Sequence, residues 1–280
     1  MPEGDRCRAS GRHRGAIEGV DGVTVAVTAA LRPLDPIVAA LAEVRGDSDA
    51  FGIADGLVVA DPADGWLPAT ALVDGTAIPD LLAAPARIWG AQPHAAATLA
   101  YKAYTYWLTM PAVLGWAVAR RVPLLSADNV AVRLADDAPQ VVIGVLRPTV
   151  AVLPDDPVAG HPDTVVVDTP DALLGVLKDT LLDNHVSPLV AATREHVRIG
   201  AHTLYGQLAA GIAYALSAAA PVLDAPVPAA GTVLDALGLS GLAALCHTDG
   251  ELRVRRKTCC LAFVVPGLDG HVCADCCVRR

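Results

Sequence analysis

The sequence predicts an α+β protein, mainly helical, with a mostly antiparallel sheet and a cysteine-rich segment at its C-terminal end. Three observations carry that expectation. Long apolar stretches repeat at helical spacing in the second and third quarters of the chain. Short alternating runs separated by turn residues lie between them. Five of the seven cysteines fall within the last 22 of the 280 residues, a density that suits a soft metal held by thiolates.

Taken in order, Val23–Thr28 alternates with period two and is expected to form a strand. Asp35-Pro36 opens a short helix through Leu41, with the proline in its first turn. Phe51–Ala60 is strand-like and broken by Gly56, and residues 61–95 are expected to be loops with short helices. Ala95–Arg121 is a long helical stretch carrying Tyr101, Tyr104, Tyr106, Trp107 and Trp116. Pro111 should kink or divide it. Its aromatic rings are expected in the core, with Tyr106 or Trp107 available to line a groove.

A β-rich block follows: Asn129–Leu134, Gln140–Leu146, Val150–Leu153 and Thr164–Val167. A meander is the simplest arrangement. Asp128-Asn129 is read as turn chemistry and Asp155-Asp156 as a solvated loop. Thr169-Pro170-Asp171 has the capping hydroxyl, first-turn proline and acid of a helix start. Ser187-Pro188 starts another helix, and Leu204, Leu208, Ile212 and Leu216 form an apolar stripe on a long one. Residues 218–230 hold three prolines and are expected to be a linker-like loop, before a short helix Val233–Leu237 ended by Gly238. His185, His196 and His202 are surface or satisfied core groups in this reading.

Hydrophobic residues make up 53% of the chain and charged residues 18%, so a full core is expected. The net charge of -9 argues against nucleic-acid binding. Neither Trp107–Ala119 nor Leu204–Val222 is apolar and long enough for stable membrane insertion. With no secretory leader recognised, a reducing, cytoplasmic setting is expected, where cysteines serve metals more than disulfides. The organisation expected is a loose tail over residues 1–15, an α+β body over 16–250, and a C-terminal segment of the same domain over 251–280.

That last segment is basic: six cationic residues stand against three acids from Glu251 to Arg280. It offers two ligand pairs, Cys259-Cys260 and the CxxC of Cys273 and Cys276, separated by twelve residues with Pro266-Gly267 and Asp269-Gly270 to reverse the chain. Adjacent cysteines on an extended chain point to opposite faces, so the backbone must bend for both to ligate. On spacing alone, zinc and an iron–sulfur cluster both remain open. Cys277 competes with Cys276 for the fourth place. Cys246 is read as a small buried side chain and Cys7 as idle, while His271 is a candidate for contact near the cysteines.

Arg255-Arg256-Lys257-Thr258-Cys259-Cys260-Leu261, Pro266-Gly267 and Cys273-Ala274-Asp275-Cys276 resemble the C-terminal motif of FhuF-like ferric siderophore reductases. Tyr104–Trp116, Val122–Asn129 and the helix from His202 to Leu216 resemble the body of that family. The twelve-residue spacer is slightly longer than the family's usual gap, and Cys277 stands where the family tends to have proline. The resemblance implies a [2Fe–2S] cluster on Cys259, Cys260, Cys273 and Cys276. It implies one-electron reduction of a ferric siderophore, releasing ferrous iron. Arg255 and Arg256 are the candidate contacts for an anionic chelate, and no catalytic acid or base is assigned. The sequence holds no G-x-G-x-x-G and no Walker loop, so a separate electron donor, a protein or another reductant, is expected. The alternatives are a zinc-stabilised, non-catalytic binding protein and a [2Fe–2S] electron carrier for another enzyme.

Overall fold

Two long helices pass through the middle of the molecule. The structure, a computed structural model, describes residues 32–62, 65–268, 273 and 275–278. The Val23–Thr28 strand, the N-terminal tail with Cys7, Asp269-Gly270 and His271 lie outside the described residues. The first helix, α1 (Asp35–Arg45), has a proline in its first turn, and strand β1 (Ile53–Val58) follows. Gly56 and Leu57 both have positive φ there, which breaks the register of β1. After β2 (Trp66–Pro68), helices α2 (Thr70–Val73) and α3 (Ile78–Trp89) lie in the region expected to be loops with short helices.

Helix α4 (Pro93–Leu114) runs unbroken through Pro111 and passes into a π-helical turn, Gly115–Ala119. The proline does not divide it. Packing holds the helix together where the proline lacks an N–H: Ala95–Tyr101 and Leu108–Leu114 are buried throughout. Helix α7 (Ala201–Ala218) packs against α4. At Gly211 an added Cβ would lie 3.1 Å from the backbone of Thr105 and Tyr106, so a side chain there would press the helices apart by a few tenths of an ångström.

The expected meander is not formed. β4 (Val130–Leu134) and β5 (Val141–Val145) make a hairpin, flanked by β2 antiparallel to β4 and by β1 parallel to β5. β3 (Val122–Pro123) and β7 (Thr164–Val166) instead flank β6 (Val150–Val152) in a second sheet. Four of these and the later strand pairings are antiparallel and two are parallel, in line with the expected class.

Thr169 caps α5 (Pro170–Leu177), its hydroxyl accepting from the Ala172 N–H at 3.1 Å. A π-helical stretch, Lys178–Val186, joins α5 to α6 (Ser187–His196) without a break. Asp156 is not solvated: it makes a two-pronged ion pair with Arg121 at 2.8 Å, the side chains 10% and 8% exposed. Helix α8 (Pro226–Ala236) begins inside the stretch expected to be a linker, because Pro226 sits in the first turn where no N–H is needed. A hairpin of β8 (Ala243–Thr248) and β9 (Glu251–Arg256) leads into the cysteines. No described helix is long and apolar enough to cross a membrane.

Candidate metal centre and adjoining cleft

Strand β9 delivers the chain to Cys259-Cys260 with Val254 and Arg256 on its buried side, as period two requires. Arg256 is 2% exposed. It therefore does not stand on an open surface to meet a dissolved chelate, and it lines the cysteine concavity instead. Its Nη2 donates to Gln207 Oε1 on α7 at 2.5 Å, while Nε and Nη1 have no partner. The Thr258 hydroxyl, also buried, has none either. Arg255, opposite Ala244 across the hairpin, lines neither the cysteine pocket nor the cleft described below.

Three contacts hold the first cysteine pair. The Cys260 carbonyl accepts from Thr98 Oγ1 on α4 at 2.6 Å, and the Cys259 carbonyl from Gln207 Nε2 at 3.4 Å. Leu261 turns into the left-handed region at φ 59°, and its N–H donates to Cys259 Sγ at 3.3 Å. This supplies a sharp turn of the chain immediately after the pair. Two short 3₁₀ turns, Ala262–Val264 and Pro266–Leu268, follow. Val265 plugs a small apolar cluster with Ala91, Ala95, Ala96 and Leu99. Gly267 lies so close to Trp89 that a Cβ would stand 2.7 Å from its Cα. Further on, the Cys276 N–H donates to the Cys273 carbonyl at 3.1 Å, which closes a turn across the CxxC.

Cys259, Cys260, Cys273, Cys276 and Cys277 line one concavity, together with Arg256, Thr258 and Asp275. Cys246 is buried in β8 and does not line it. Burial pushes the Cys273 thiol up to about 11; the neighbouring Cys260 and Cys276 raise it further, and Arg256 and Lys102 act against them. Burial also raises Cys259, opposed by the Leu261 N–H, with Cys260, Cys277 and Cys276 adding to the rise. These thiols hold their protons at neutral pH, and a bound soft metal would displace them. Among the described residues no three His, Cys, Asp or Glu side chains stand ready to hold a metal ion.

The donor set nonetheless fits a multi-thiolate cluster. Sulfurs from both ends of the segment converge on a single wall, and a guanidinium with two unpartnered nitrogens belongs to that wall. A buried cation without a counter-charge is costly, and a cluster of thiolates and sulfides is anionic. Cys276 and Cys277 both reach the concavity.

Beside it lies a cleft of about 820 Å³ between α4, α7 and the cysteine segment. Trp89, Tyr106 and Tyr214 give it aromatic faces, Lys102 a cation, and Gln207 an amide. Trp107 instead packs on Phe51 at 5.2 Å between ring centroids. Tyr214 donates to Asp275 Oδ2 at 3.0 Å; burial, then the nearby Asp275 carboxylate, raise its phenol, so it stays a neutral donor. Cys273 and Asp275 line both the cleft and the concavity. The sequence reading missed Lys102, Gln207 and Tyr214. The signal was present on α7, where Gln207, Gly211, Tyr214 and Ser217 recur at helical spacing beside the leucine stripe.

Comparison with known proteins places the body of the chain. No curated protein matches it. Among solved structures, ATP-bound aerobactin synthetase IucA from a hypervirulent pathotype of Klebsiella pneumoniae is similar over 54% of this chain and 29% of that one, with 19% identity and a TM-score of 0.42. The chain thus spans less than a third of that protein's length, and a likeness this slight supports nothing further. Residues 101–239, from α4 to just beyond α8, match the family described as ferric iron reductase FhuF-like transporter; the cysteine segment lies outside the match. Residues 101–239 thus form a FhuF-like ferric iron reductase domain.

Proposed function

We propose that the protein reduces the iron of a ferric siderophore, with Cys259, Cys260, Cys273 and Cys276 holding a [2Fe–2S] cluster and ferrous iron released in the cytoplasm. The observation that supports this best is the shared wall: Cys273 and Asp275 belong to both the cysteine concavity and the cleft. A chelate seated in the cleft would have only that wall between it and the sulfurs.

A bound [2Fe–2S] cluster would supply a one-electron couple. The chain's own residues do the rest. Trp89, Tyr106 and Tyr214 offer apolar faces to the organic part of the chelate. Lys102 offers a charge to its anionic groups. The Tyr214–Asp275 hydrogen bond ties α7 to the CxxC turn and fixes the shared wall. Ferric iron is held tightly by hard oxygen donors; ferrous iron, softer and less charged, is held far more weakly, so one electron suffices for release. Electrons would come from a separate donor.

The test is single-turnover oxidation of dithionite-reduced protein. Ferric siderophores should oxidise it faster than small unrelated acceptors. Ala103→Trp, which narrows the cleft, should slow the siderophore reaction at least tenfold and leave the small acceptors unchanged. Equal rates for all acceptors, unaffected by Ala103→Trp, would point to an electron carrier for another enzyme.

A further inference from the structure

We infer that Arg256, clamped by Gln207, is the buried cation that faces the cluster and sets its reduction potential; it is a positioning and tuning residue and does not touch substrate. The inference rests on the cluster reading above. It goes beyond it by assigning a role to a side chain that the chelate cannot reach.

The argument begins with an accounting of hydrogen bonds. Arg256 is 2% exposed, and of its donors only Nη2 is satisfied, on Gln207 Oε1. Buried guanidinium groups are almost always paired, because the desolvated charge otherwise has no compensation. No carboxylate pairs with this one among the described residues. What the wall around it does contain is cysteine sulfur, and the one carboxylate among its described residues, Asp275, is bonded to Tyr214 instead. The missing counter-charge is therefore expected to be the thiolates and sulfides themselves, with Nε–H and Nη1–H donating to sulfur.

Gln207 explains how the geometry is kept. It is 1% exposed on α7, its Oε1 holds Arg256, and its Nε2 reaches the Cys259 carbonyl. One side chain thereby fixes both a ligand's backbone and the cation. Adding an electron makes the cluster one charge more negative, so a fixed cation beside it favours the reduced form. Hydrogen bonds to sulfur act in the same direction. Removing the charge should make the protein a stronger reductant that is harder to load with electrons.

The measurement is the midpoint potential by anaerobic spectroelectrochemistry, alongside iron and acid-labile sulfide per chain. Arg256→Gln should keep its cluster and shift the one-electron equilibrium at least tenfold towards the oxidised form, about 59 mV downward. Arg256→Lys, which keeps the charge, should recover most of that shift. Gln207→Glu pairs the cation in place and should also lower the potential; it carries the test if Arg256→Gln does not fold. A cluster-bearing Arg256→Gln or Gln207→Glu with the wild-type potential would overturn the inference and leave the cluster reading intact. Wild-type protein with no sulfide would overturn both.

Discussion

The α4–α7 body and the cysteine end treat buried polar groups in opposite ways. In the body, Tyr104 and His185 are wholly buried yet complete. The His185 Nδ1–H donates to the Leu125 carbonyl at 2.6 Å, and Nε2 accepts from the Tyr104 hydroxyl at 2.6 Å. Tyr101 meets Thr193 at 2.9 Å, and Asn129 ties three backbone groups of the β4–β5 region. At the cysteine end, Arg256 and Thr258 are buried with atoms unpaired. Native interiors rarely leave such groups unsatisfied. The body is finished by its own side chains, whereas the cysteine end needs something more to complete it.

If that contrast is right, breaking a finished pair in the body should be a matter of stability alone. The largest effect is expected at Arg121. Its two-pronged bond to Asp156 is nearly sealed from water, and the same guanidinium also donates to the Pro33 carbonyl at 3.1 Å. Arg121→Ala should cost about 3–5 kcal/mol in urea unfolding. It should leave iron and sulfide content unchanged in whatever protein remains folded.

Acid should come next. Burial lowers His185 from 6.5 to about 4, against a smaller opposing pull from its bond to the Leu125 carbonyl. The unfolded chain therefore takes up a proton that the folded one refuses. Stability from this group is complete above pH 6.5 and is lost as pH falls from 6.5 towards 4, to a total of roughly 3 kcal/mol. His185→Gln should flatten the stability profile between pH 7 and pH 5. An unchanged slope would mean that His185 is not the neutral, doubly bonded group described.

The smallest effect is expected where the two regions meet. Tyr214→Phe removes the hydroxyl bonded to Asp275 and should cost about 1 kcal/mol. Its sharper readout is the cysteine end: hydrogen exchange at residues 273–278 should quicken while α4 stays protected. Equal quickening in both would erase the distinction between the regions.

Much of the body was legible in the sequence because it follows local rules. The Thr169 cap, the proline starts and the leucine stripe of α7 all lie where their chemistry placed them. The cysteine ligand candidates were legible from spacing, and the concavity brings them together. The β8–β9 hairpin was missed although its signal was present. Asp249-Gly250, both at positive φ (52° and 83°), form its turn between alternating runs. The same alternation, counted from Val254, would have put Arg256 inside. The π-helical stretch carrying His185 and the close approach at Gly211 were not legible. Both depend on partners about 80 to 105 residues away in the chain, at Tyr104 and Thr105.

The most direct test of the central claim is anaerobic isolation after expression with ample iron, followed by a visible spectrum and assays of iron and acid-labile sulfide. A red-brown protein with about two irons and two sulfides per chain is expected, its colour lost in Cys273→Ser. A colourless protein carrying a single zinc ion and no sulfide would contradict the account.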